Sequence, residues 1–404
     1  LMPASRAARE GRPVLGTIAG WAASNDATHV TRPDTAGGQL ARAIGQAMKR
    51  AGVAPEQVGF VSAHGTGTGY NDAMEMAAFR STLSVRPVFS VKGALGHTLG
   101  AAGLVEILIC LRALSEGVVP PTIGLRRPDD CAAGWVTECP TRIAPGGIRA
   151  ALTTNSGFGG INAALVLTLD QVGPDGAGPS SAPVPLLPAG IGWVTGTAYG
   201  RMRHGESRAR TEQRANAGST VSVDVLFRRK VERFGRFDPV SRMTCLACEL
   251  ALQDAGVEYS PDARQEIGIL GAGFEGSLAA NTVYFKDYVE SGRILARGNL
   301  FVYTLPTAPL GEAAIHFGFQ GPLFSLICTA TPLADALQAA TLLVKNGDAP
   351  AMLVVQAEAE SAVAALVTGE PGPALPLLAM LAAGSPLLSQ LIPKLTTHTE
   401  NPGL

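Results

Sequence analysis

The 404-residue sequence has no excess of positive charge: 32 Lys and Arg stand against 33 Asp and Glu, a formal net charge of −1. A nucleic-acid partner is not expected, because there is no surplus of cations to neutralise phosphates. Charge of either sign is scarce at 16%, and the high Ala and Gly content suits close-packed helices on a buried sheet. Cysteines are few and scattered, at 110, 131, 139, 245, 248 and 328. Only Cys245 and Cys248 are spaced Cys-x-x-Cys. They lie in the helical pattern Ser241 to Leu252 without a second ligand pair, so packed reduced thiols are expected there, and no metal site. The opening Leu1-Met-Pro-Ala-Ser-Arg lacks the apolar core of a secretion signal. The apolar stretch Ala365 to Leu404 is too broken by Pro and Gly to cross a bilayer. A cytoplasmic enzyme without a membrane span is the expectation. His29, His204, His316 and His398 stand in no motif and read as surface or packing residues.

What is present is an alternation of apolar strands and amphipathic helices. Strands are expected at Pro13 to Ala19, Val58 to Ser62, Val88 to Val91 and Ala163 to Leu169, with a strand pair at Trp135 to Glu138 and Arg149 to Thr154. Helices are expected at Gln39 to Ala51, Asp72 to Leu83 and Gly100 to Ser115. Such alternation implies a mixed or parallel sheet with helices on both faces. From 170 to 190 the pattern stops in a Pro/Gly-rich linker. A second unit follows: Phe237-Asp-Pro-Val-Ser-Arg242 leads into a helix, and Ile267 to Gly273 reads as a strand. The helix ending Lys49-Arg-Ala-Gly-Val53 before Val58 is echoed by the one ending Gln253-Asp-Ala-Gly-Val257 before Ile267, which implies a duplicated unit.

Three polar, glycine-rich turns follow apolar strands in the first half. They are His64-Gly-Thr-Gly-Thr68, Ser90-Val-Lys-Gly-Ala-Leu-Gly-His-Thr-Leu-Gly-Ala-Ala-Gly103 and Asn155-Ser-Gly-Phe-Gly-Gly-Ile-Asn162. Glycines there are often simple turn residues and a lone His is usually packing. Three such turns in one half are hard to explain that way, and the Lys92 and His97 turn can hold a developing negative charge.

In this order the three segments resemble the carboxyl-terminal half of the β-ketoacyl synthases, the decarboxylating condensing enzymes of fatty acid and polyketide synthesis, over residues 1–169. The resemblance implies an α/β, thiolase-like fold of duplicated halves in a layered αβαβα arrangement. It also implies an acyltransferase that condenses acyl and malonyl thioesters. The demanding moment is the thioester enolate, which needs fixed donors where its oxygen carries charge. His64 and His97 match the family's imidazole pair, each able to offer an Nε2–H while neutral. Lys92 matches the active-site Lys, and Glu106 the carboxylate that keeps a buried ammonium charged. Thr66 and Thr68 look like the hydroxyls that bind the phosphopantetheine arm of the carrier protein, or they cap a turn. Phe158, between Gly157 and Gly159, looks like the gate over the acyl pocket. Beyond that arm no cofactor is implied. The implied partners are an acyl carrier protein and a synthase subunit in a homo- or heterodimer.

Residues 191–360 resemble the amino-terminal half of the same family, so the halves come in reversed order, and 361–404 reads as an irregular tail. The family's Thr-Ala-Cys turn is Thr329-Ala-Thr331 here, which leaves the nucleophile unassigned: Thr331 reads as a helix N-cap before Pro332. Cys328 falls three residues early, on the strand, where helix amides do little to lower its pKa. The chain therefore reads as the back half of a catalytic synthase joined to the front half of a Cys-less sister like a chain-length-factor subunit. Its expected activity is decarboxylative Claisen condensation. The alternatives are an incomplete partner subunit or a module that binds acyl thioesters.

Overall fold

The computed structural model describes residues 1–143, 150–170, 188–202, 206–209, 226–294, 297–327, 330–369 and 387–400. Most of the expected linker, His204, Cys328 and residues 370–386 of the expected tail lie outside the described residues. The chain packs as two units, Leu1–Asp26 with Arg32–Pro183, and Ala27–Thr31 with Val184–Leu404.

Unit 1 carries β1 (Thr17–Asn25), α1 (Gly38–Ala51), β2 (Val58–Ser62), α2 (Gly69–Thr82), β3 (Val88–Phe89), α3 (Ala102–Glu116), β4 (Ala150–Gly157) and β5 (Ile161–Thr168). Its sheet runs β1-β5-β4-β2-β3. The β1/β5 and β5/β4 pairs are antiparallel, and β4/β2 and β2/β3 are parallel. Every residue of β2 is buried, as a strand covered on both faces requires. Val58 and Val61 pack with Leu40, Ile44, Met74 and Phe79 from α1 and α2. Phe60 joins Ile107 and Cys110 of α3 in a second cluster.

Unit 2 carries β6 (Pro188–Thr195), β7 (Ala198–Arg201), β8 (Glu206–Ala209), α4 (Pro239–Ala255), β9 (Gly268–Gly273), α5 (Leu278–Glu290), α6 (Ala308–Phe317), β10 (Leu323–Ile327), α7 (Pro332–Lys345), β11 (Ala351–Ala357), β12 (Ser361–Thr368) and α8 (Leu388–Glu400). Its sheet order is β8-β7-β6-β12-β11-β9-β10. From β6 onward, order and strand directions repeat those of unit 1. The matching helices α1 and α4 both end on a left-handed glycine, Gly52 at φ 61° and Gly256 at φ 68°, the backbone form that a Cβ disfavours. The duplication read from those two helix ends is thus a repeat of topology.

Four expectations need correction. The first strand is Thr17–Asn25, displaced from Pro13 to Ala19, because its inner half is Ala, Ser and Asn packed close under α1. Trp135 to Glu138 does not pair with β4: Val136 makes one parallel bridge to Val88, while β4 is paired on both sides by β2 and β5. The expected tail contributes Ser361–Thr368 as an inner strand between β11 and β6. It also contributes α8, whose Leu388, Leu391, Ile392 and Leu395 are buried in the unit 2 core at helical spacing. Pro393 inside α8 hides that period from a reading that treats Pro as a breaker.

Close helix-on-sheet packing generates a stability prediction. A Cβ on Gly20 of β1 would meet the Ala47 carbonyl of α1 and lie 2.7 Å from the Ala51 nitrogen, whereas one on Gly45 would meet nothing within 4 Å. In chemical denaturation followed by tryptophan fluorescence, Gly20→Ala is expected to destabilise by about 1–3 kcal/mol. Gly45→Ala is expected to stabilise by about 0.5–1 kcal/mol.

Candidate active site

The three glycine-rich turns sit at the carboxyl ends of the parallel strands β2 and β3 and of β4 beside them, where open α/β sheets place their ligands. Lys92 and Glu106 meet at 2.7 Å with side chains only 8% and 1% exposed. Two charges taken out of water together hold each other in place, and removing one partner would strand the other at a cost of about 3–5 kcal/mol. The close approach of this turn depends on Gly93, where a Cβ would run into the Ile123 carbonyl.

The pair extends into a chain of bonds. The Asn155 amide nitrogen donates to the second Glu106 oxygen at 2.7 Å, which turns its Oδ1 toward His64 Nδ1 at 3.3 Å. An Oδ1 can only accept, so the proton of neutral His64 sits on Nδ1 and its Nε2 is a lone pair. This corrects the expectation that both imidazoles offer an Nε2–H. Burial first, and then the Lys92 charge, lower the His64 pKa to about 4. His97 has the opposite tautomer. The Leu99 backbone N–H donates to its Nδ1 at 3.1 Å, which leaves the neutral ring's proton on Nε2. Leu99 achieves this at φ 51°, a left-handed conformation that a branched residue adopts under constraint. The two rings stand edge to face with centroids 5.4 Å apart. His64 is buried and His97 exposed. One donor and one acceptor are thus set side by side next to an ammonium.

Thr66 and Thr68 present hydroxyls 2.9 Å apart. Thr68 occupies the N-cap of α2 without a side-chain capping bond, so capping is not what its hydroxyl does. Phe158 is 39% exposed at the tip of the β4/β5 hairpin. The flanking glycines do not form a loose hinge: Gly157 lies in β4 paired with Ile161, and Gly159 and Gly160 hold φ 90° and 78°. Their carbonyls accept from the Asn25 side chain at 2.6 Å and the Asp26 backbone at 2.8 Å. Asn162 closes the set by donating to Asp26 at 2.7 Å.

In unit 2, Thr331 is the N-cap residue of α7 with Pro332 following, as expected, but its hydroxyl makes no capping bond. Cys245 and Cys248 are buried in α4, and burial pushes both thiols up. His316 is a buried packing residue, with Nε2 3.2 Å from the Tyr259 hydroxyl. Sequence reasoning missed Glu75, a buried carboxylate on α2 that accepts the His64 and Gly65 backbone N–H groups, and it missed the role of Asn155. Asn155 opens a motif already singled out, yet its bonds reach residues 91 and 49 positions away.

Residues 15–126 match the family model "Beta-ketoacyl synthase, C-terminal domain", and residues 191–369 match "Beta-ketoacyl synthase, N-terminal domain". The chain is 36% identical over 168 residues to the tetracenomycin polyketide synthase ketoacyl synthase alpha subunit of Streptomyces glaucescens, covering 40% of this chain and 39% of that protein. It is 38% identical over 164 residues to 3-oxoacyl-(acyl-carrier-protein) synthase 2 of Synechocystis sp., covering 38% of each. The chain thus spans about two fifths of the length of these curated relatives. Among solved structures, the PfaC keto synthase-chain length factor superposes with a TM-score of 0.67 at 20% identity, over 90% of this chain and 49% of that one. That likeness shows the fold, which is α/β and thiolase-like. Among the described residues no helix is long and apolar enough to cross a membrane.

The depressed His64 pKa has a measurable consequence. The His64 imidazole resonances are expected to titrate near pH 4, against an ordinary 6.5. Between those values the unfolded chain takes up a proton that the folded one refuses. This contribution to stability is therefore complete above pH 6.5 and is lost as pH falls toward 4.

Proposed function

The chain belongs to the β-ketoacyl synthase family, and from that premise we propose that it takes part in decarboxylative Claisen condensation of acyl and malonyl thioesters borne on a carrier protein. The supporting observation is the bonded run Lys92–Glu106–Asn155–His64 with His97 beside it. In the proposed step the malonyl C–C bond breaks, CO2 leaves, and the electron pair becomes an enolate whose oxygen accepts from His97 Nε2–H. The Lys92 ammonium, itself nearly buried against Glu106, adds positive potential beside the two rings. His64 keeps an Nε2 lone pair with which to order a water or take a proton. Thr66 and Thr68 bind the phosphopantetheine arm, and Phe158 covers the acyl pocket. The enolate carbon then attacks the carbonyl of an acyl group held as a thioester on a Cys of a partner chain, and the C–S bond breaks to release that Cys as a thiolate.

On this reading residues 1–169 are the back half of a catalytic synthase, and residues from 191 the front half of a sister without the Cys. The order of the two family matches and the Thr at the Cys position support it. The partners are an acyl carrier protein and a Cys-bearing synthase subunit in a homo- or heterodimer, in the cytoplasm, with no cofactor beyond the carrier's arm.

One observation favours a second reading, an acyl-binding partner module. Unit 2 contains a cavity of about 1340 Å³ at the carboxyl ends of β9, β10 and β11, lined by Phe237, Val283, Leu300, Leu305, Leu310 and Ile327 among others. A long apolar chain fits such a wall.

Incubation with malonyl-carrier protein separates the readings. CO2 release that falls about 10²- to 10³-fold in His97→Ala supports condensation chemistry. Carrier binding without release, weakened by Val283→Trp for long-chain acyl carriers, supports the binding module. If neither occurs and condensation appears only on adding a Cys-bearing synthase, the chain is a partner subunit.

A further inference from the structure

Glu249 lies on α4 and is fully buried. Its Oε1 accepts the Arg228 Nε–H at 2.7 Å and the Gln253 side-chain amide at 2.8 Å, and its Oε2 accepts the Tyr259 hydroxyl at 2.6 Å. A carboxylate out of water needs donors and a counter-charge. Arg228 supplies the charge, with its side chain 25% exposed. The one hydroxyl proton of Tyr259 is committed to Glu249, so the Tyr259 oxygen accepts from His316 Nε2–H at 3.2 Å.

Arg228 belongs to an arm, residues 226–238, that leads into α4. The arm is held at both ends. At its start the Arg228 guanidinium also donates to the Val257 carbonyl at 2.9 Å and lies over the Tyr259 ring, 5.0 Å from the centroid. Beside it, Gln253 donates to the Leu226 carbonyl at 2.8 Å. At its end Asp238 caps α4 by accepting the Ser241 backbone N–H at 3.0 Å. Between these ties Phe227, Phe234 and Phe237 meet ring to ring, with successive centroids 5.5 and 5.7 Å apart. Phe237 stands in the wall of the unit 2 cavity, as do Arg233 and Arg236 of the same arm. A run of packed rings therefore joins the Glu249 ion pair to the surface against which a ligand would lie. Close-packed side chains transmit a displacement and do not absorb it.

We infer that Glu249 is the positioning residue of this arm, and that by fixing Phe237 it sets the length of acyl chain that the cavity admits. The selection of length rests on the acyl-binding reading of unit 2, whereas the hold on the arm stands on the bonds alone.

Glu249→Gln keeps the shape and removes the charge that holds Arg228. In hydrogen exchange, the amides of residues 226–238 are expected to exchange faster while the core of α4 stays protected. Binding of octanoyl-, dodecanoyl- and hexadecanoyl-carrier protein to the full chain reads the selection. Affinity for the hexadecanoyl carrier is expected to fall about tenfold and for the octanoyl carrier by less than about twofold, the scale of altered apolar contact. Tyr259→Phe is the control. It removes a hydroxyl from the same network but leaves Arg228 on Glu249, so it costs stability without changing the ratios of the three affinities. Should Glu249→Gln fail to fold, the double change Arg228→Met with Glu249→Gln strands no charge and carries the test. Wild-type exchange across the arm in the folded variant overturns the inference. So does a loosened arm with unchanged affinity ratios, or a Tyr259→Phe protein that shifts those ratios as far. A wild-type chain that binds none of the three carriers overturns the acyl-binding reading instead, and the exchange comparison still decides whether Glu249 holds the arm.

Discussion

The site is organised by a charge that has been taken out of water. A buried ammonium is tolerable only beside an anion, so Lys92 fixes Glu106. Once one Glu106 oxygen is committed, the other is free to orient an amide, and the oriented amide decides which nitrogen of His64 holds the proton. Tautomer and ring orientation therefore follow from one ion pair, while burial first and the Lys92 charge second set the ring's basicity. His97 escapes this chain because a backbone amide orients it, and so the two imidazoles end with opposite faculties.

The two units show how little of a fold commits it to chemistry. From β6 onward unit 2 repeats the strand order and directions of unit 1, with β7 and β8 added at one edge, and both place their open ground at the carboxyl ends of parallel strands. In unit 1 that ground is filled by polar turns. In unit 2 the equivalent strand ends border a cavity with a largely apolar wall that Arg233, Arg236, Asp238 and Glu312 also line, and α7 opens with Thr331 and Pro332. The scaffold supplies the location, and the side chains at these strand ends decide what that location can hold.

Much of this was legible in the chain. His64, Lys92 and His97 announce themselves because each lies in a short local motif, and the 14-residue step from Lys92 to Glu106 is within reach of one turn and one helix. The strands flanking them are apolar enough to read directly. What escaped depends on distance or on subtlety of packing. Asn155 and Glu75 act through bonds that join separate strands and helices, and no spacing rule marks such partners. The proton position on His64 is set by its neighbour's amide, not by its own motif. The first strand was displaced because small residues packed tightly against a helix give no β-branched signal. The last helix was missed because Pro393 sits inside it.

The bonds that grip the β4/β5 hairpin carry one more implication. With Gly159 and Gly160 tied through their carbonyls to Asn25 and Asp26, the peptide backbone at the tip has nowhere to travel. Movement of the Phe158 ring is left to rotation about its own bonds. On the proposed reading, in which this ring covers the acyl pocket, such a gate would open by turning one side chain on a fixed tip and not by carrying the hairpin with it.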